Sequence, residues 1–201
     1  MDPVKQSIIN DGYVIIDDFL YPDVVDELHQ SAINSKHIDD DYSDWGYHSI
    51  NFDKNKFPFP ILPDVINAIH GAFSPLHSLE FDRGWAFVYN NEAEGVTPHA
   101  DPAALNVNLW VTPSRCVKDT AKNGLIIYDK QAPLDWTWED YNSDSQKIIN
   151  YLDESKASPR YIPYNYNRIT IFESNYFHQT NSVSMIEGQE NRRVNYTFMF
   201  N

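Results

Sequence analysis

The chain has 201 residues, 29 of them Asp or Glu against 15 Lys or Arg, and a formal charge of −14; a field of that sign repels phosphate backbones, which excludes duplex nucleic acid as an expected partner and reads most simply as a solubility device. Its single cysteine, Cys116, rules out an internal disulfide and fits a reducing compartment. No run approaches the roughly 18 apolar residues of a membrane helix, and the opening MDPVKQSIINDGY has neither the basic flank nor the apolar core of a signal peptide, so a cytoplasmic protein of one domain, spanning 1–201, is expected.

In chain order, Asp2 caps a short helix with Pro3 in its first turn, and GYVIIDDFL follows as a strand. YPDVVDELHQSAIN reads as a helix with Pro22 near its start and Val25, Leu28 and Ala32 on one face. PDVINAIHGAF reads as another, with Ile66, Ile69 and Phe73 at the same spacing. Residues 1–84 are therefore expected to be a helical part with one early strand. From Trp85 the texture changes to short β-rich runs between polar, Gly or Pro breaks: WAFVYN, ALNVNLWVT, GLIIYD, RITIFES and RRVNYTFMF. Residues 85–201 thus read as an antiparallel sandwich or jelly roll. Between GLIIYD and RITIFES lies an insertion of about 130–167 that contains one helix, SDSQKIINYLDES; long connections of this kind often form lids or binding loops.

In TPHADPAALNVNLWVTP, His99 and Asp101 stand two apart, and in an extended segment both project to one side while Ala100 faces away. A third ligand is expected from another strand, and His178 stands shortly after the apolar run ITIF. Two neutral imidazoles and one carboxylate on one face of an octahedral metal leave three open positions, the arrangement of non-haem Fe(II) oxygenases. Beyond it, NRRVNYTFMFN brings a cation to the last strand, suited to the far carboxylate of a chelating 2-oxo acid. His29, His37, His48, His70 and His77 lack ligand spacing.

The order H-x-D, a distal histidine in RITIFESNYFH, then an arginine opening the final strand resembles the Fe(II)- and 2-oxoglutarate-dependent dioxygenase superfamily, in particular its prolyl-hydroxylase-like branch. The resemblance covers about residues 85–200 and the strand in DGYVIIDDFL. It implies a mainly β fold with flanking α-helices: a double-stranded β-helix, the jelly roll of cupin-like proteins, with N-terminal helices packed on the major sheet. It also implies Fe(II) held by His99, Asp101 and His178, with 2-oxoglutarate and O2 as cosubstrates, hydroxylation of an organic substrate, and release of succinate and CO2. Of Arg192 and Arg193, only one can face inward; an arginine followed four positions later by a small hydroxyl residue fits Arg193 with Thr197, and makes VSMIEGQEN an enlarged hairpin loop. Tyr89 matches a tyrosine that approaches the cosubstrate in similar enzymes. Asn108, which shares a strand face with Asn106 and Trp110, is a further candidate to bind it.

The aromatic clusters SDWGYH, DWTWED and YIPYNYN suit a peptide, amino-acid or other small-molecule substrate. Retention of Asp101 argues for hydroxylation over halogenation. Two other readings stand beside this one. A jelly-roll module that binds metal or ligand without turnover is opposed by the completeness of the ligand set. A zinc hydrolase would need a general base, for which Glu173 is the nearby candidate, with parity opposite to His178 on a regular strand.

Overall fold

The computed structural model describes residues 12–201; the helix expected at Asp2 and Pro3 lies outside the described residues. The first strand is β1 (Tyr13–Ile16), followed by helix α1 (Pro22–Ile33) and, later, α2 (Leu62–Ala72). Pro22 opens α1 where its missing N–H has no partner to lose. Val25, Leu28 and Ala32 of α1 are buried, as are Ile66 and Ile69 of α2 and Phe73 just beyond it.

Between the helices run β2 (Asp40–Tyr42) and β3 (Tyr47–Asp53), so the N-terminal part holds more than the one strand expected. In YHSINFD, Ile50 and Phe52 enter the apolar core, while Ser49 and Asn51 spend their hydrogen bonds on Asp40 and on each other. That mixture hides the apolar alternation that marks a half-buried strand.

The remaining strands are β4 (Phe81–Tyr89), β5 (Glu92–Ala93), β6 (Val96–His99), β7 (Leu105–Trp110), β8 (Leu125–Gln131), β9 (Pro159–Ile162), β10 (Arg168–Glu173), β11 (Tyr176–Thr180), β12 (Val183–Ser184) and β13 (Val194–Phe200). Seven form one antiparallel sheet in the order β1-β10-β7-β13-β4-β3-β2, and four form a second, β6-β11-β8-β9. The segment expected as an enlarged hairpin loop before β13, VSMIEGQEN, contributes β12, which pairs with β5. This is a jelly roll, a double-stranded β-helix with helices on the larger sheet.

Alternation along β7 and β13 divides the interior. Val107, Leu109, Tyr196 and Phe198 point to α1 and α2 and share one apolar core with Leu28 and Ile69. Burying each such side chain contributes about 1.5–3 kcal/mol, which is why the helices dock by their apolar stripes. The opposite face looks between the sheets, where Trp110 and Phe172 pack on Leu125, Ile127 and Ile162 of the smaller sheet.

The insertion after β8 forms a π-helical turn (Glu139–Ser143) and helix α3 (Ser145–Glu154), with Asp144 accepting from the Lys147 N–H at its start. Its Ile148 and Leu152 pack with Ala100 and Phe177, on the outer face of the smaller sheet. No described helix is long and apolar enough to cross a membrane.

Candidate metal centre

His99 ends β6 and His178 lies on β11; the two are cross-strand partners in register. Their ring centroids are therefore 4.4 Å apart. Asp101 leaves the strand but is pinned by its backbone N–H, which donates to the Ser174 carbonyl in the β10–β11 turn at 2.9 Å. Its Oδ2 stands 3.3 Å from His178 Nε2 and its Oδ1 4.0 Å from His99 Nε2. One ligand atom from each residue falls within 4.8 Å of the others, and this is the one such cluster among the described residues.

The local backbone orients both imidazoles. His99 Nδ1 sits 2.8 Å from the Thr97 carbonyl and His178 Nδ1 2.9 Å from that of Tyr176. A carbonyl requires a donor, so each Nδ1 carries a proton, and each Nε2 is the ring atom turned toward the Asp101 carboxylate. Burial, and the second histidine beside it, hold the His99 pKa below its ordinary value, which favours the neutral ligand form. For Asp101, burial would raise the pKa; the His178 hydrogen bond, the pull of both histidines and the Asn106 amide overcome it and bring it to about 2. The carboxylate is thus ionised before any cation arrives, and its donor set suits a divalent ion of the first transition row.

Two amides complete the surroundings of Asp101. Asn106 of β7 donates to Oδ2 at 2.6 Å, and its own Oδ1 accepts from the Ser174 hydroxyl. Asn142 of the insertion donates to Oδ1 at 3.3 Å and to the Ala100 carbonyl at 2.9 Å. Gly95, at φ +88, turns the chain into β6. A Cβ there would lie 2.3 Å from the Thr180 carbonyl oxygen, so no larger residue fits without moving the histidine strands.

Arg192 and Arg193 both precede β13, which begins at Val194, and they differ in burial and not by strand alternation. The Arg192 side chain is half-buried, and its carbonyl accepts from the Thr112 hydroxyl and bonds the His29 ring. Arg193 is 1 % exposed. Its Nε donates to the Asn123 carbonyl at 3.0 Å, and its guanidinium carbon lies 4.8 Å from the centre of the Tyr89 ring, 5.8 Å from Tyr164 and 6.0 Å from Trp110. Nη1 is buried with no hydrogen-bond partner. Among the described residues Arg193 forms no ion pair, although buried charges are normally paired.

Tyr89 lies fully buried under that guanidinium, its hydroxyl 3.4 Å from Thr180. Asn108 and Thr197 do face inward, but toward each other: the Thr197 hydroxyl donates to Asn108 Oδ1 at 2.7 Å, and the Asn195 amide donates to both. Glu173 accepts from the Gln131 amide. A turn at Ser174 and Asn175 separates it from His178 and places the two in different sheets, so the parity argument from one continuous strand does not apply.

A cleft of about 930 Å³ opens onto His99 and Asp101, walled by Tyr47, Trp85, Phe87 and Asn142 and rimmed by Asp39 and Asp40. The aromatic clusters scatter. Trp45 and Trp138 are largely exposed, Trp136 packs against Phe177, and Tyr164 joins the arginine cage. Sequence reasoning missed the roles of Asn106 and Asn142. Asn106 carried a signal, a polar residue at an inward position of an apolar strand; Asn142, in a polar loop, carried none.

No protein-family model and no curated protein matches the sequence. Solved structures do match the fold. A Trichoplax adhaerens prolyl hydroxylase in complex with a hypoxia-inducible-factor peptide fragment is 12% identical, with a TM-score of 0.63 over 98% of this chain and 86% of that one. SnoK, a non-haem α-ketoglutarate-dependent carbocyclase from nogalamycin biosynthesis, is also 12% identical, with a TM-score of 0.67 over 100% and 83%. HygX from Streptomyces hygroscopicus, solved with nickel and 2-oxoglutarate bound, is 6% identical, with a TM-score of 0.66 over 100% and 87%. At these identities the likeness is one of fold: the chain has the double-stranded β-helix of the 2-oxoglutarate- and Fe(II)-dependent oxygenases.

Proposed function

We propose that the chain, as a single domain, is an Fe(II)- and 2-oxoglutarate-dependent dioxygenase that hydroxylates an organic substrate. The observation that carries this reading is Arg193, a buried cation with an unpaired Nη1 and, among the described residues, no carboxylate partner, in the same barrel as a two-histidine, one-carboxylate cluster. A dicarboxylate that chelates a metal at one end and needs a cation at the other satisfies both features.

His99, Asp101 and His178 would hold the metal, with Nδ1–H bonds to backbone carbonyls fixing both rings. Arg193 would take the distal carboxylate of 2-oxoglutarate, its Nη1 finding there the acceptor it lacks. Tyr89 would support the guanidinium and the cosubstrate chain, while Asn108 and Thr197 form a hydrogen-bonded polar face for it. Fe(II) with 2-oxoglutarate supplies oxidising power drawn from O2, one oxygen atom reaching the substrate as hydroxyl and the other the succinate formed with CO2. The protein's part is to keep the ligand geometry, orient the substrate in the cleft and screen the site from water.

For the substrate we propose a peptidyl-prolyl residue or an amino acid. The support is an open cleft of about 930 Å³ with an aromatic wall, together with a peptide-bound prolyl hydroxylase among the proteins of like fold. A cytoplasmic location belongs to the same reading, supported by the lone, buried cysteine. Anaerobic Fe(II) titration with and without 2-oxoglutarate tests the reading. A weak visible charge-transfer band that needs both components and disappears in Asp101→Ala is expected, followed by succinate release with a peptide library. Metal binding without that band would refute it.

A further inference from the structure

We propose that Asn142, carried by the π-helical turn of the insertion, is a positioning residue for the metal carboxylate and couples the order of the insertion to metal loading. The proposal rests on the reading of His99, Asp101 and His178 as metal ligands.

Each oxygen of Asp101 has one amide donor, and the two donors come from independent parts of the fold. Oδ2 is held by Asn106 of the larger sheet at 2.6 Å, and Oδ1 by Asn142 at 3.3 Å. A single donor leaves a carboxylate free to rotate about its Cβ–Cγ bond; two donors on opposite oxygens fix its plane. Both oxygens keep a further lone pair for a cation.

Asn142 is itself fixed from behind. Its amide also donates to the Ala100 carbonyl, and the Ala100 N–H donates to the Tyr141 carbonyl at 2.8 Å, so the turn is bonded to the residue between the two ligands of H-x-D. Behind it, Ile148 and Leu152 pack on Ala100 and Phe177, the neighbours of His99, Asp101 and His178 in sequence. The insertion is therefore a strut against the back of the ligand strands, and Asn142 is the side chain through which it reaches the cleft. Thermodynamic reciprocity gives the second half of the proposal. If the turn favours the metal-binding orientation of Asp101, metal on Asp101 favours the ordered turn by the same factor.

The test uses the full chain, Co(II) as the metal probe, and Asn142→Ala beside Asn142→Leu, which restores most of the volume without a donor. Anaerobic Co(II) titration followed by the visible d–d absorption should show a Kd raised about 10- to 100-fold in both variants, the usual effect of losing an outer-shell partner, with an altered band shape. Hydrogen exchange should show that Co(II) slows exchange over residues 139–143 in the wild type and that this increment is lost in both variants. A volume effect alone would be rescued by leucine, and that rescue overturns the proposal, as does a Kd and exchange increment in both variants equal to wild type. A wild-type chain that binds Co(II) no better than Asp101→Ala overturns the metal reading itself, an outcome distinct from wild-type binding that the Asn142 variants leave unchanged.

Discussion

Replacing Arg193 by methionine separates a cosubstrate-binding role from a structural one. Removing one partner of a buried ion pair strands the other charge and costs about 3–5 kcal/mol. Here the arginine is itself the unpaired charge, so Arg193→Met strands nothing. The losses are the Nε–H bond to the Asn123 carbonyl, about 1.5–3 kcal/mol for a charged donor, and the ring contacts with Tyr89, Tyr164 and Trp110, about 0.5–2 kcal/mol. Against them stands the desolvation of a fully buried cation, several kcal/mol, which also holds the guanidinium pKa below its usual value. The net change in the cosubstrate-free protein is therefore within about 2 kcal/mol, or within about 8 °C of melting temperature at the ~2–4 °C per kcal/mol typical of this chain length. The cosubstrate response is expected to differ sharply. At a hundred times its Kd, 2-oxoglutarate should stabilise the Ni(II)-loaded wild type by about 2.7 kcal/mol, a shift of roughly 5–11 °C, and Arg193→Met by nothing measurable. Thermal melts with and without 2-oxoglutarate read both quantities. An undiminished shift in Arg193→Met, or its loss in Arg192→Met alone, would refute the assignment; a destabilisation of 3–5 kcal/mol without cosubstrate would show that Arg193 has a structural partner.

Asp101→Ala should abolish metal binding yet lower stability by only about 1–3 kcal/mol, the cost of leaving the Asn106 amide unpaired, because the barrel strands pair without the metal; an unfolded far-UV circular dichroism spectrum would contradict this. His29 is buried, and burial, ahead of the Arg192 carbonyl and the Asp26 charge that act the other way, depresses its pKa. Above about pH 6.5 the ring is neutral folded and unfolded and the pH dependence is flat; below it the unfolded chain takes the proton first, so stability falls as pH drops. Urea midpoints from pH 7.5 to 5 should decline more in the wild type than in His29→Gln, and parallel declines would exclude His29 as the source. Gly95→Ala combines a left-handed backbone with the approach to the Thr180 carbonyl and should cost roughly 1–3 kcal/mol in a chemical melt; a change below a few tenths would mean that the β5–β6 turn rearranges freely.

The strands that alternate cleanly were legible because one face of each is apolar. ALNVNLWVT sends Val107 and Leu109 to the helices, and GLIIYD sends Leu125 and Ile127 between the sheets. His99, Asp101 and His178 were legible as a cluster because H-x-D spacing and a histidine after the apolar run marked them; in the structure β6 ends at His99, and the Asp101 N–H bond to the Ser174 carbonyl, not strand alternation, brings the carboxylate to the histidines. β2 and β3 were not legible, because DDY is an exposed edge strand and YHSINFD buries only Ile50 and Phe52 of its apolar residues, among polar ones that bond Asp40 and each other. The cage around Arg193 was half legible. Tyr89 follows from its strand, but Tyr164 arrives from the insertion, and its hydroxyl reaches the Thr112 carbonyl across 52 positions of sequence. Asn142 belongs to the same kind, a contact set by docking and not by local pattern.

The asparagines of β7 show how a buried charge is tolerated before any cation neutralises it. A polar side chain on the sealed face of a barrel costs free energy unless its donors and acceptors are met. Asn106 meets that condition by bonding Asp101 and Ser174, and Asn108 by bonding Thr197 and Asn195. The first pair holds an anion and the second is neutral, so the inner face of one strand presents a negative end beside the histidines and an uncharged middle. Arg193 supplies the positive end just ahead of β13, enclosed by rings that neither neutralise it nor let water reach it. The barrel is thus polarised along its length before any ligand enters. A molecule that carries a cation-chelating head and an anionic tail lowers the energy at both ends at once, whereas a neutral ligand of the same size relieves neither. That asymmetry predicts that 2-oxoglutarate protects the metal-loaded protein from thermal unfolding far more than its neutral diester does, and equal protection by the two would show that the charges at the two ends play no part in selection.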